Sequence, residues 1–356
     1  MSAIPTSTKG ARPAGYALVR AGRASFLVHR RGTAVALGLA LLLAAACLTY
    51  LCVGKTWTAP GDVIDVLLGR PSPEEFTVGT ARLPRMTVGL LAGAAFGVAG
   101  ALIQTVARNP LASPDVIGVS QGASALTVGA MTYGVTSLAV MPYLSVAGGL
   151  LAAVLVYFFA WRGGLQAARF VLVGIGFAIA LRSVTHLFLT KGDYLVAQQA
   201  KVWMTGSLNA RGWDEAVPLA WALLALAPFV CWAARAQRTV SMDDDTATAL
   251  GVRLGRVRLG LVLVGVVLAS VATGAAGPVD GVALLAPQIA RRMTRTAQIP
   301  LLCSALMGSL VVVLADLLGR KLFEPVELPV GVLTAVVGAP YLIWLIARSR
   351  TGGNAR

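Results

Sequence analysis

Apolar residues in this chain gather in runs close to the twenty that a helix needs to cross a bilayer, separated by shorter polar stretches. The first run, residues 32–54, carries no charge between Arg31 and Lys55. It is too long for the apolar core of a secretory signal, so it reads as a retained helix. A polar stretch, 55–85, leads to a second run, 86–107, which is uncharged for 22 residues. Between Asp115 and Arg162 lie 46 uncharged residues, enough for two crossings, with a break supplied by Gly134 and Pro142. Residues 170–190 form a fifth crossing interrupted by Arg182, residues 216–234 a sixth, and 301–319 and 328–347 the last two. The 32 residues between Arg258 and Arg291 hold one acid, Asp280, and a Gly277-Pro278 break. That length predicts a long span out and a short, partly re-entrant return, for ten crossings in all.

Backbone groups in a bilayer must bond internally, so the predicted fold class is all-α, a polytopic membrane helical bundle. Charge sets its orientation. With both termini cytoplasmic, 20 of the 30 Lys and Arg fall on the inner side, nine outside and one, Arg182, within a span. The predicted organisation is a basic, disordered cytoplasmic extension over 1–31, a transmembrane domain over 32–347 and a cytoplasmic tail over 348–356. The hydrophobic fraction of 57% against 13% charged excludes a soluble domain. The net charge of +15 does not signal nucleic acid, because the basic residues punctuate apolar runs instead of gathering on one soluble face. Cys47, Cys52, Cys231 and Cys303 lie in or beside apolar runs without CxxC spacing and read as packing residues.

Candidate chemistry is sparse. Gly118-Val-Ser120-Gln-Gly122 has the GxSxG form of a nucleophile elbow, but it opens a membrane helix, and the only histidines are His29 and His186. Neither a GxxxxGK[ST] phosphate loop nor HExxH occurs, and no metal or cofactor is implied. Gly89, Gly93 and Gly97, followed by Gly100, bare one face of the second helix for close helix contact. Arg82, Arg85, Arg320 and Lys321 sit at outer helix ends, where orientation gains nothing from positive charge; snorkelling to lipid headgroups is one reading. Asp316, at i,i+4 from Arg320, reads as its neutralising partner. Arg182 either lines a substrate path or pairs with an acid. In the hydrophilic stretch 235–258, Asp243 to Asp245 can cap a short helix that Gly251 ends, which suits a connecting loop or a docking element.

Several motifs are more specific. Arg82-Leu-Pro-Arg85 precedes the glycine-rich helix, followed by Gln104 and Asn109-Pro-Leu111-Ala-Ser-Pro-Asp115. Trp203-Met-Thr-Gly206-Ser207-Leu208-Asn209, Asp244-Asp245-Thr246-Ala-Thr-Ala249-Leu250-Gly251-Val252, Gly277-Pro278, Ala286-Pro287-Gln288 and Leu328-Pro329-Val-Gly331 follow in order. Together they resemble the FecCD/BtuC-type permeases of ABC importers for vitamin B12, haem and ferric siderophores. Leu322-Phe323-x-Pro325 and the Asp-Asp-Thr-Ala stretch make the likeness to ferric-enterobactin permease subunits the closest one.

The resemblance implies a ten-span subunit in the bacterial cytoplasmic membrane, working with an ABC ATPase subunit, a second permease subunit and an extracytoplasmic siderophore-binding protein. On matching positions it implies that Arg82, Arg85 and Arg320 receive glutamates of the binding protein, and that Asn109 and Leu111 form an inner gate. It implies that Asp244, Asp245, Thr246, Ala249, Leu250, Gly251 and Val252 couple to the ATPase. Arg182 and Gln288 are path-lining candidates; many relatives carry His where Gln288 stands, which leaves a titrating role there without support. A haem or vitamin B12 permease is the alternative within the family. An ion-driven secondary transporter is the rival outside it, and would need paired acids near the midplane.

Overall fold

The computed structural model describes residues 15–21, 24–54, 56–135, 140–161, 167–322, 324 and 326–351. Thirteen α-helices follow a short hairpin in the described residues. Seven are long and apolar enough to cross a membrane: α1 (Arg30–Cys52), α3 (Leu83–Ala107), α5 (Met141–Ala160), α6 (Ala167–Lys191), α8 (Trp213–Val240), α10 (Leu254–Ala276) and α12 (Leu301–Lys321). Their outer faces expose large apolar side chains, such as Leu41 and Leu42 on α1 and Trp221, Leu224 and Phe229 on α8, as helices bathed in hydrocarbon do. The chain is a multi-pass membrane protein.

Helix α3 is the hub, and its glycines are the cause. A Cβ added at Gly93 would lie 2.5 Å from the Gly308 carbonyl oxygen on α12. One at Gly97 would meet the backbone of Ser304, and one at Gly100 the backbone of Ala283. The stripe therefore lets two helices approach to backbone contact on one side of α3, where dispersion and close packing supply the association that lipid exclusion cannot. Ser309 adds a hydrogen bond of 2.7 Å from its hydroxyl to the Leu90 carbonyl across the same contact. Helical structure also begins earlier than expected. A π-helical stretch, Phe76–Arg82, runs directly into α3, so the predicted polar linker 55–85 holds this stretch and α2 (Pro60–Leu67).

Among the helices too short to cross by themselves are α4 (Val119–Thr132) and α11 (Val282–Thr294). Both start inside the bundle. Gly118, with φ +92°, caps α4 against the backbone of Ala178 on α6. After Gly277 (φ +77°), the chain turns back so that Ala283 packs on Gly100 of α3. The half-length return predicted from the Gly277-Pro278 break has this form. The GxSxG stretch is the start of α4: the Ser120 hydroxyl bonds to Asp115, and Gly122 packs against Gly148 of α5.

The described part of the extension, residues 15–21 and 24–31, is ordered where disorder was expected. Strands β1 (Tyr16–Ala21) and β2 (Ala24–His29) pair antiparallel in a hairpin that leads into α1. Its sequences, YALVRA and ASFLVH, are rich in the branched and aromatic residues that strands favour, a local signal that a reading by net charge overlooks. His29 closes the junction. Its Nδ1 accepts from the Gly32 amide at 3.0 Å, and its ring packs edge-on to Tyr16. Residues 1–14 and 352–356 of the predicted extension and tail, and Phe323 and Pro325 of the last motif, lie outside the described residues.

Candidate functional site

The predicted site residues fall into two groups, one at each end of the bundle. At the end where α1 finishes and α3 begins, Asp316 of α12 is the centre. Its carboxylate accepts two hydrogen bonds from Arg85, at 2.8 and 2.9 Å, and a third from the Tyr50 hydroxyl at 2.6 Å. Arg85 also bonds Glu327 at 2.9 Å, and Asn209 lies at 3.5 Å. Arg320, one turn from Asp316, stacks 3.9 Å over the Tyr50 ring. A fork-shaped guanidinium facing a carboxylate fixes α3 to α12 in one register.

Arg82 does something different. It is 6% exposed, and its guanidinium donates to the carbonyls of Leu51, Cys52 and Thr56 and to the Thr58 hydroxyl. Leu51 and Cys52 belong to the last turn of α1, where carbonyls have no partner within the helix, so Arg82 caps that helix with a full charge. Gly54 is bare because any Cβ there would collide with this guanidinium. The docking role expected of all three arginines needs side chains that face outward. Arg82 and Arg85 are instead buried and committed within the chain, and the Arg320 side chain, 11% exposed, lies 3.8 Å from Asp316 and donates to the Tyr50 carbonyl at 3.5 Å.

Three motifs far apart in sequence converge beside this cluster. Gly206 (φ +67°) follows α7 (Tyr194–Met204), and a Cβ there would strike the Pro278 carbonyl. The Ser207 amide donates to Ala276 at 3.1 Å, and the Gly331 amide, at the start of α13 (Val330–Thr351), donates to Gly206 at 3.1 Å. The glycines of these motifs are thus backbone contacts that tie α7, α10 and α13 together.

At the other end, α3 stops at Arg108, which takes the left-handed conformation (φ +47°). Asn109 folds the following turn by accepting from the Leu111 amide at 2.9 Å, and Leu111 is exposed. The expected short helix is present as α9 (Asp244–Ala249), ended by Gly251 at φ +79°, with Leu250 exposed at its tip. Asp244 joins the two elements: it accepts from Arg108 at 2.5 Å and from Arg258 of α10 at 2.7 and 2.9 Å. The Arg258 hydrogen bond holds the Asp244 carboxyl below its ordinary range, and the charges of Arg258 and Arg108 act in the same direction. Nearby, Gln288 donates to Gln104 at 2.6 Å, and Gln104 to the Leu284 carbonyl at 3.1 Å. Asn109, Gln104 and Gln288 share a cavity of about 240 Å³ with Arg108, Gln237 and Arg291.

The expected residues are therefore brought together as two sets, with Arg182 apart from both on α6. Tyr50, Glu327, Arg108 and Arg258 were missed. Tyr50 is a lone hydroxyl at the end of an apolar run, and nothing local marks its partner 266 residues away.

Comparison with known proteins fits this architecture. A model of the FecCD transport family matches residues 41–348. The chain belongs to that family. The ferric enterobactin transport system permease protein FepG of Escherichia coli is 39% identical over 311 residues, covering 86% of this chain and 94% of the relative. The Fe(3+)-citrate import system permease protein YfmE of Bacillus subtilis is 36% identical over 86% of this chain and 93% of its own. The achromobactin transport system permease protein CbrC of Dickeya dadantii is 35% identical over 93% and 99%. In fold, an inward-facing metal-chelate type ABC transporter superposes with a TM-score of 0.77 at 24% identity, over 89% of this chain and 99% of that one.

Proposed function

We propose that this chain is the permease subunit of a binding-protein-dependent ABC importer that carries a ferric siderophore, of the enterobactin type, across the bacterial cytoplasmic membrane. The carrying observation is the Asp244 clamp. A short exposed helix is bonded to the end of the central helix α3, one residue before the Asn109–Leu111 turn. A push on α9 by an ATPase subunit is thereby delivered to the inner gate and, through Arg258, to α10. The names of the FepG and YfmE relatives, ferric enterobactin and Fe(3+)-citrate permeases, support an iron chelate as cargo.

In this reading the chain crosses ten times with both termini cytoplasmic, three crossings being made by the shorter α4 and α11 and by α13. The cargo passes between this subunit and a second permease subunit, and ATP is hydrolysed on the separate ATPase. The extracytoplasmic carrier docks on the Tyr50–Asp316 cluster. Arg320 makes the contact with a carrier carboxylate, Arg85 adds a second by exchanging Glu327, and Arg82 braces the rim from behind. Such ion pairs set docking geometry and encounter rate more than affinity.

Uptake of radiolabelled ferric siderophore by vesicles holding the assembled complex tests the proposal. Import requires ATP inside and carrier outside. Import that persists without ATP and collapses with an uncoupler makes the protein an ion-coupled transporter and ends this reading; a panel that includes haem and vitamin B12 decides the cargo.

A further inference from the structure

Arg182 is the sixteenth of the 25 residues of α6, it follows twelve uncharged residues, and it is exposed. Exposed Ser183, His186 and Thr190 share its side of the helix, and the Ser183 and Thr190 hydroxyls bond only to carbonyls of their own helix. Hydrocarbon is a poor neighbour for such a stripe. A charge in mid-span costs several kcal/mol and is found facing protein or water. Other charges lie close by. Gly118 packs on Ala178, one turn from Arg182, and this brings the loop that carries Asp115 alongside. Asp115 interacts electrostatically with Asp280, which is exposed in the loop between α10 and α11, and Asp280 interacts with Arg182. The Asp280 carbonyl is held by the Thr334 hydroxyl of α13 at 2.7 Å. Because α4 and α11 begin inside the bundle, these acids stand at depth, although each precedes a helix and neither lies in a long apolar run.

We propose that Arg182 and Asp280 form a charge-compensated station in the translocation path, where Arg182 contacts the anionic oxygen shell of a ferric chelate and Asp280 keeps that contact weak. The inference rests on the importer reading above. A guanidinium suits this task because its planar fork pairs with neighbouring oxygens of a carboxylate or catecholate shell. Left alone, it would hold a polyanion in the path, and conduction requires sites favourable enough to enter and weak enough to leave. Asp280 competes for the same charge without forming a contact ion pair with it among the described residues. Asp115, bonded to Ser120, lies behind the station.

The test uses proteoliposomes of the complete complex with its carrier, offered ferric tricatecholate and ferric citrate as probes. Co-purification with the ATPase subunit is the folding control. Arg182→Gln lowers ATP-driven uptake of the transported chelate by about tenfold or more, the scale of one lost hydrogen bond to a charged group. Arg182→Lys recovers much of that uptake. Asp280→Asn acts in the opposite sense on retention: more chelate stays with the permease, and both turnover and KM fall. Wild-type uptake in both neutralised variants overturns the station, as does retention shifting the same way in both, or Arg182→Lys performing no better than Arg182→Gln. A wild-type complex that carries neither probe, nor any other ferric chelate, overturns the importer reading as well.

Discussion

Asp316 and Arg85 meet through two hydrogen bonds of 2.8 and 2.9 Å although 231 residues separate them in sequence. Asp316 is 1% exposed, so losing either partner strips a buried charge of its shortest bonds and leaves only Glu327 beside Arg85, or Arg320 at 3.8 Å and the Tyr50 hydroxyl beside Asp316. Asp316→Asn or Arg85→Met should destabilise the subunit by roughly 3–5 kcal/mol. Tyr50→Phe, which removes one bond to the same carboxylate, should cost about 1.5–3 kcal/mol. Thermal unfolding in detergent measures all three. Equal stability of wild type and Asp316→Asn would show that the pair does not hold α3 to α12.

Arg82 and Arg320 should separate cleanly when mutated. Arg82→Ala uncaps α1 and should lower the unfolding temperature, with loss of carrier binding only as a consequence. Arg320→Gln, which sets no second carboxylate beside Asp316, should leave a folded subunit joined to its ATPase that binds the carrier more weakly. Carrier affinity measured at two ionic strengths provides the check, since docking through rim charges weakens as salt rises.

Helix α9 gives a pH window for the proposed coupling. A depressed carboxyl contributes stability above its ordinary value, about 3.9, and loses it only as pH falls through the lower folded value. The Asp244 clamp should therefore be complete from pH 8 down to pH 5, and association with the ATPase should not vary through this residue over that range. Asp244→Asn should weaken association at every pH, and so should Leu250→Asp, which alters the exposed tip. Titrating ATPase binding across the window distinguishes these outcomes.

Glycines along α3 should differ in tolerance. Gly93→Val sets a branched carbon against the Gly308 backbone, which cannot move aside, and should cost about 1–3 kcal/mol or more and lower the yield of folded protein. Gly89→Ala meets chiefly the tip of the Leu208 side chain, 2.9 Å away, which can rotate, and should be the milder change. Expression level and unfolding temperature of the two variants give the comparison.

Legible in the sequence alone were the all-helical membrane class, the long apolar helices, the half-length return after Gly277, the short helix at Asp244 and the family. Each rests on a local property: an uninterrupted apolar run, a helix breaker, a capping residue or an ordered set of motifs. It also marked Gly93, Gly97 and Gly100 as a packing face, because small residues at four-residue spacing share one side of any helix. How the charges are used follows from the fold. Arg82 and Arg85 look alike in the RLPR motif, yet one caps α1 and the other grips Asp316, since three residues of helix turn them toward different neighbours. Asp115 and Asp280 share one neighbourhood in the fold although sequence gives no hint of it. Hydrophobic periodicity is set within one helix, whereas the partner of a buried charge depends on which distant helix the fold lays beside it.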